Sequence, residues 1–137
     1  MRRRVAAARV ARLATVRPDG TPHVVPVCFA LLTDRSGDVL VTAVDTKPKT
    51  TTSLQRLQNI EANPAVTFLV DHYEEEWDRV WWVRVDGDAH VLGVGAERDR
   101  ALQALRAKYE QYRDHDLPGP AVAIDVHRWV GWAYDGS

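Results

Sequence analysis

The sequence contains a single cysteine, Cys28, and charges of both signs that nearly cancel to a formal net of -1 over 137 residues. One cysteine excludes an internal disulfide framework and every metal motif that needs several cysteines. We therefore expect a cytoplasmic protein. The near-zero net charge removes any global electrostatic reason to bind nucleic acid or an anionic membrane, so an anion site has to be local.

The sequence also lacks a long apolar run. Its basic N-terminal segment is interrupted by Arg9 and Arg12, which fits neither a signal peptide nor a membrane span. We expect a short surface helix there. At this length, with no linker, repeat or low-complexity tract, residues 1–137 form one domain.

Motifs for catalysis are missing as well. None of the five histidines has the spacing of metal ligands, no G-x-S-x-G segment occurs, and Cys28 has no nearby base. The run Gly93–Arg98 begins like a dinucleotide fingerprint but carries Arg98 where the last glycine belongs. The sequence therefore offers no candidate catalytic residue and no metal site.

Two of the only three lysines, Lys47 and Lys49, stand within one short loop. Val39–Val44 is strand-like, Pro48 prevents the strand from continuing, and the hydroxyl run at 50–53 offers N-caps for a helix that Asn63–Pro64 ends. Two ammonium groups and a helix start favour a phosphate or polycarboxylate ligand. A solvated basic loop without a ligand is the alternative.

The remaining pattern predicts a mostly β protein with peripheral helices, arranged as a six-stranded antiparallel barrel. Pro26 places its strand at an edge or a bulge, and Asp86-Gly87 predicts a turn, kink or bulge. Helices are expected after the basic loop and over Glu97–Arg113. The expected strands are Leu13–Val16, Thr21–Leu32, Val39–Val44, Ala65–Val70, Val80–Leu92 and Ala121–Tyr134.

Tryptophan and arginine recur together late in the chain, as Trp82 with Arg84 and as Arg128 with Trp129. Because neighbours in a strand point to opposite sides, one of Trp81 and Trp82 can fill the core while the other faces a ligand or a second subunit. An aromatic wall beside an anion site suits a planar ring with a phosphate tail. Ordinary amphipathic strand residues are the simpler interpretation.

Four segments together resemble a known superfamily. They are ARLATVRPDGTPHVVPVCFAL, VLVTAVDTKPKTTTSLQRLQNIEANPAVTFLV, EEEWDRVWWVRVDGDAHVL and HRWVGWAYDG. They are similar to the pyridoxamine 5'-phosphate oxidase-like split β-barrel superfamily, and within it to the F420-dependent flavin/deazaflavin oxidoreductases of the B type. The likeness covers roughly Arg9 to Gly136.

The resemblance implies a six-stranded split barrel that forms a homodimer with cofactors at the subunit interface. It assigns the ring to the strand carrying Val25, Pro26 and Val27. The second subunit would supply four further residues: Trp82, Arg84, Arg128 and Trp129. The phosphate and the adjoining tail would be held by Thr42, Thr46, Lys47 and Lys49.

The implied activity is hydride transfer from reduced coenzyme F420 to an unsaturated organic substrate, with the chemistry supplied by the cofactor. Flavin mononucleotide (FMN) is the alternative cofactor, with oxidase or reductase activity. Relatives that use FMN often carry an arginine where this chain has His23, which favours F420. A non-catalytic protein that binds flavin, F420 or a tetrapyrrole is the third hypothesis.

Overall fold

The computed structural model describes residues 1–34, 37–44 and 51–136, with the backbone alone for residues 51–54. Strands dominate, as the sequence predicts. The helices are α1 (Arg2–Ala7), α2 (Thr51–Ala62) and α3 (Ala96–Lys108). The strands are β1 (Ala11–Val16), β2 (Pro22–Val27), β3 (Ala30–Asp34), β4 (Gly37–Ala43), β5 (Ala65–His72), β6 (Trp81–Leu92) and β7 (Ala121–Ala133). No helix among these residues is long and apolar enough to cross a membrane.

The described strands form one antiparallel sheet of seven strands in the order β2-β1-β5-β6-β7-β4-β3. The prediction of a mostly β antiparallel fold is confirmed, and the predicted number of six strands is wrong. The extra strand arises because the segment Thr21–Leu32 is not continuous. It breaks at Cys28 and Phe29 into β2 and β3, which lie at opposite ends of the sheet order. Pro26 does lie in an edge strand, as expected.

The gap between β2 and β3 is bridged by the side chain of Tyr109, which follows α3. Its hydroxyl accepts a hydrogen bond from the Phe29 amide at 3.0 Å. The same hydroxyl lies 2.9 Å from the carbonyl oxygen of Arg9 and 3.0 Å from that of Phe29, so it can donate to either. This hydroxyl therefore satisfies backbone groups that a neighbouring strand would otherwise pair. The helix predicted over Glu97–Arg113 ends at Lys108, because Tyr109 is extended and inserts into this gap.

Two hydrophobic clusters lie on opposite sides of the sheet. The main cluster is centred on Phe29 and Phe68, whose rings meet edge to face at a centroid distance of 4.8 Å, and it includes Ile60 of α2. The second cluster lies under α3, with Leu102 and Leu105 packed against β4 and β7. Helix α2 packs on β1 and β6 and ends before Asn63–Pro64, as predicted.

The long strands β6 and β7 change register between Asp86 and Gly87, which confirms the irregularity predicted at this dipeptide. Asp86 pairs with Arg128 and Gly87 with Val126, so His127 is the extra residue of a bulge. A Cβ atom at Gly87 would lie only 2.3 Å from the carbonyl oxygen of Asp125. The close approach of the two backbones therefore requires glycine.

Candidate functional site

The strand predicted to line the cofactor ring turns its side chains alternately to two sides. Val27 belongs to the main core and Val25 packs against it. Pro26 lies on the opposite side and is exposed, opposite Arg12 of β1. Of the three predicted ring contacts, only Pro26 presents its side chain to the outside.

Pro26 shares its side of the sheet with three of the predicted residues from the end of the chain. Across the sheet, Pro26 pairs with Arg12, Arg12 with Leu69, and Leu69 with Arg84, so these four side chains form one row on the same side. The neighbouring rows on that side contain Trp82 and Arg128. We call this side the outer face. Its members are Arg12, Val24, Pro26, Leu69, Trp82, Arg84, Asp86, Arg128, Val130 and Trp132.

The outer face exposes apolar side chains. Val24 is 59% exposed and Trp132 is 46% exposed, with Pro26 exposed beside them. Its charges are partly paired within the sheet, since Arg84 Nε lies 3.5 Å from Asp86 Oδ1, which also accepts from the Thr67 hydroxyl. A mixed apolar and paired-charge surface of this kind is typical of an interface between proteins.

Trp129 does not lie on the outer face. It pairs with Val85 and packs against the main core, while the guanidinium of Arg2 lies 6.0 Å from its ring centroid. The adjacent pair near the start of β6 divides as predicted, because Trp81 packs against the core and Trp82 lies outside. Arg128 and Trp129 therefore lie on opposite sides of the sheet, whereas Trp82 and Arg84 share the outer face.

Thr42 is almost fully buried, and its hydroxyl donates to the Cys28 carbonyl at 2.7 Å. The hydroxyl therefore has only its lone pairs left for a ligand. Thr46, Lys47 and Lys49 lie outside the described residues, as do Pro48 and the predicted capping side chains at positions 50–53. Their assignment to the cofactor tail stays a prediction.

Arg56 of α2 is the main polar residue that sequence reasoning missed. It is only 8% exposed, and its Nε has no hydrogen-bond partner in the described parts of the chain. Burial lowers its pKa, with an opposing influence from Tyr112. A buried guanidinium nitrogen without a partner is costly unless an acceptor reaches it.

The neighbours of Arg56 on α2 are already satisfied. Asn59 is fully buried, donates to the Thr15 hydroxyl at 2.9 Å and accepts from the Gln55 amide at 2.7 Å. The signal for this cluster is present in the sequence, because Arg56 and Asn59 are three residues apart and each directly precedes an apolar position, Leu57 or Ile60. They were not recognised because only the apolar residues of the helix were considered.

A second cation, the half-buried Lys108, lies at the end of α3. Its Nζ is 3.8 Å from the Phe29 ring centroid and has no hydrogen-bond partner among the described residues. Burial, together with the nearby charge of Arg9, lowers its pKa to about 8, although Cys28 acts in the opposite direction. Lys108 and Cys28 also line a surface cavity of about 810 Å³.

Replacing Lys108 with methionine is expected to change how stability depends on pH. In the wild type, the unfolded chain keeps this proton up to its usual value of 10.5, whereas the folded chain loses it near 8. Between those values the unfolded state binds more protons, so this residue makes stability rise with pH. The free energy of unfolding, measured in urea over this pH range, should rise with pH more steeply for the wild type than for Lys108→Met. The same pH dependence in both proteins would contradict the expectation.

No group of three or more histidine, cysteine, aspartate or glutamate side chains in the described ranges is arranged to hold a metal ion. The features that remain among the described residues are binding features: the buried cation Arg56 on α2 and the apolar and charged outer face. Such groups position and neutralise an anionic ligand. They do not transfer protons by themselves.

Comparison with known proteins identifies the fold and the family of this chain. An antiparallel sheet that is split between two strands adjacent in the chain, with helices packed on it, is a split-barrel fold. Residues 1–133 match the model for the pyridoxamine 5'-phosphate oxidase family, and the chain belongs to that family. This family includes flavin-binding oxidoreductases and haem-binding proteins.

Solved structures show the same fold at low sequence identity. The conserved hypothetical protein Rv2991 from Mycobacterium tuberculosis superposes with a TM-score of 0.74 at 20% identity, covering 94% of this chain and 79% of that one. A candidate 5-nitroimidazole antibiotic resistance protein from Bacteroides thetaiotaomicron gives 0.73 at 15% identity, covering 95% and 80%. HutZ, the haem storage protein of Vibrio cholerae, gives 0.64 at 14% identity, covering 95% and 88%. No curated protein sequence matches the chain significantly.

Proposed function

We propose that this protein is a homodimeric oxidoreductase that binds coenzyme F420 and transfers a hydride between reduced F420 and an unsaturated organic substrate. The observation that carries the proposal is Arg56, a guanidinium 8% exposed whose Nε has no partner among the described residues. It lies on the helix that directly follows Lys47 and Lys49 in the chain. An anionic cofactor tail would supply the missing counter-charge.

The number of cations favours F420 over FMN. The tail of F420 is longer and more anionic than the single phosphate of FMN. Arg56 and the two loop lysines provide three positive charges along one segment. Arg17 and Arg56 both lower the pKa of His23, so Arg17 adds a fourth positive charge near the same end of the sheet. A tail with several negative groups uses these charges more fully than one phosphate does.

The ring is proposed to lie between two subunits that meet through their outer faces. Pro26 of one subunit would contact one side of the ring. Trp82, Arg84 and Arg128 belong to the same face, so a two-fold pairing of outer faces would bring those of the second subunit towards it. Burying Val24 and Trp132 in the same interface gives their exposed apolar surface a purpose.

The cofactor, when bound, supplies the hydride chemistry at C5 of its ring. The protein's own residues bind and orient it. Arg56 and the loop lysines would fix the tail, Pro26 would set the plane of the ring, and the apolar outer face would exclude water. This division of roles explains why the sequence contains no acid-base pair for catalysis.

A binding titration tests the proposal. Purified protein is titrated with F420, with FMN and with haemin, with binding followed by fluorescence or by the absorption spectrum. We expect F420 to bind most tightly. The variant Lys47→Ala with Lys49→Ala should bind it at least about 100-fold more weakly, since each charged hydrogen bond contributes about 1.5–3 kcal/mol.

The variant Arg3→Ala with Arg100→Ala is the matched control, because it removes two exposed positive charges away from α2 and should leave affinity unchanged. Tight binding of FMN or haemin without F420 binding would mean that F420 is not the cofactor and that the ligand that binds is. If none of the three binds, the cofactor hypothesis fails. Equal weakening in the control variant would show a general charge effect in place of a site.

A further inference from the structure

A cavity of about 640 Å³ lies between α3 and the strands β3, β4, β6 and β7. Its volume falls within the roughly 300–1,000 Å³ of small-molecule sites. The cavity is on the side of the sheet that carries the second hydrophobic cluster, whereas α2 packs on the main cluster. The described residues that line it include neither Arg56 nor any member of the outer face. It is therefore separate from the residues assigned above to the cofactor.

The floor of the cavity is apolar because neighbouring strands align aliphatic side chains beneath it. In the register, Val41 pairs with Ala123 and Leu32 pairs with Val39. Val41 and Ala123 are buried in the second cluster, and Leu32 and Val39 pack against it while remaining partly buried. The small side chain of Ala104 on α3 leaves room above this floor. An apolar body bound here would cover the partly exposed edge of the core.

The rim of the cavity is mainly acidic. Asp34 of β3, Glu97 of α3 and Asp125 of β7 line it together with one guanidinium, that of Arg100. With His90 neutral, two negative charges are therefore uncompensated among the described lining residues. The side chains of Glu97 and Asp125 are 64% and 55% exposed, so a small molecule can reach them from solvent.

His90 of β6 lies between two of these carboxylates. Its Nε2 is 3.8 Å from Oε2 of Glu97, and its Nδ1 is 3.8 Å from Oδ2 of Asp125. Both distances are too long for a hydrogen bond, so the imidazole satisfies neither carboxylate directly. The two acids flank the imidazole beside the apolar floor, where both can accept hydrogen bonds from a bound donor.

Asp88 adds a further negative charge next to the cavity but has a partner of its own. It lies directly opposite Asp125 in the pairing of β6 with β7, and its Oδ2 is 2.9 Å from Nε2 of His127. Among the described residues, the basic group paired with Asp125 is His90, at the longer distance of 3.8 Å. Like charges directly opposite each other in a sheet are destabilising. A cation bound beside Asp125 would reduce this repulsion.

We propose that this cavity binds a small organic cation, an amine or guanidine attached to an apolar body. The body would lie on the floor formed by Leu32, Val39 and Val41, and the cationic group would donate to Glu97 and Asp125. A cleft lined by negative charge concentrates cations and disfavours anions, which selects this class of ligand. The site goes beyond the proposed function, and its occupation does not depend on which cofactor binds.

Three probes of nearly equal shape test the charge preference. They are naphthylmethylamine, naphthylmethanol and naphthoate, which are positive, neutral and negative at neutral pH. Binding to the wild type is followed by NMR, from the backbone amide signals of Val39, Val41 and Ala123. We expect the amine to bind about 10-fold more tightly than the alcohol, and the carboxylate to bind more weakly than both.

Three results with the wild type would overturn the proposal. They are equal affinity for the amine and the alcohol, tighter binding of the carboxylate, and the absence of binding by all three probes. This comparison decides the proposal even if a variant fails to fold.

Two matched double variants separate the site from a general charge effect. Glu97→Gln with Asp125→Asn should lower the affinity for the amine about 10-fold, to that of the alcohol, while the affinity for the alcohol stays unchanged. Glu75→Gln with Asp78→Asn removes two exposed carboxylates from the connection between β5 and β6 and should change neither affinity. Equal weakening of amine binding in both double variants would contradict the proposed site.

A third variant tests the apolar floor. Ala104→Phe should weaken the amine and the alcohol alike, because the larger ring would occupy the cavity. Unchanged binding of both probes would place them elsewhere on the protein and reject the proposal.

The cofactor and the cation site can fail separately. Lys47→Ala with Lys49→Ala should leave amine binding unchanged while it weakens F420 binding. Preference for the amine without F420 binding would support this site and reject the cofactor. F420 binding without any preference for the amine would support the cofactor and reject this site.

Discussion

Replacing Gly87 with alanine is expected to lower the free energy of unfolding by about 3 kcal/mol, at the upper end of typical overpacking costs. The new Cβ would lie 2.3 Å from the carbonyl oxygen of Asp125 and 2.9 Å from Cγ2 of Ile124. The first contact is with backbone, so relief requires β6 and β7 to separate at their bulge. Equilibrium unfolding in urea measures the loss.

Gly93→Ala is the matched control. A Cβ there meets nothing within 4 Å, and the residue needs no positive φ. Its stability should change by no more than about 0.5 kcal/mol, or rise slightly because alanine restricts the unfolded chain. Similar values for the two variants would mean that the close approach at Gly87 has no energetic importance.

Tyr109→Phe is the other change with a large expected effect, a loss of about 3 kcal/mol. The phenylalanine ring fits the same space, but the Phe29 amide and a carbonyl of Arg9 or Phe29 would lose their buried partner. Each unsatisfied group costs about 1–3 kcal/mol. Because these groups lie where the sheet is split, we also expect faster amide exchange at Phe29.

Tyr134→Phe serves as the comparison, since that ring is 56% exposed. Removing its hydroxyl should change stability by less than about 0.5 kcal/mol. Urea unfolding and hydrogen exchange are measured for both variants. A loss in Tyr109→Phe no larger than in Tyr134→Phe would show that the backbone at the split finds other partners.

Five of the seven strands could be located from local patterns, because alternation and turn residues identify each of them without reference to the rest of the chain. The break at Cys28 and Phe29 could not. Nothing near Phe29 in the sequence reveals that its amide is bonded to a tyrosine 80 residues away. The topology of an unclosed sheet depends on such a long-range contact.

The candidate site was predictable in its residue types and less so in its geometry. Trp82, Arg84 and Arg128 were selected from composition and resemblance, and the register places them on one side of the sheet with Pro26. The same reasoning could not tell that Trp129 faces inward. Arg56 was missed because an arginine in a helix is ordinarily solvated, and only packing shows that this one is buried.

The two prolines of β2 have a consequence for self-association. A proline within an edge strand has its nitrogen on the unpaired side. Pro22, Val24 and Pro26 are two residues apart along β2, so their backbone nitrogens lie on that same side. Of these three positions on the free edge, only Val24 can donate a hydrogen bond to an incoming strand. This edge is a poor template for strand addition, so the prolines protect it against edge-to-edge aggregation, and the proposed pairing of two subunits would use the side-chain surface of the outer face instead.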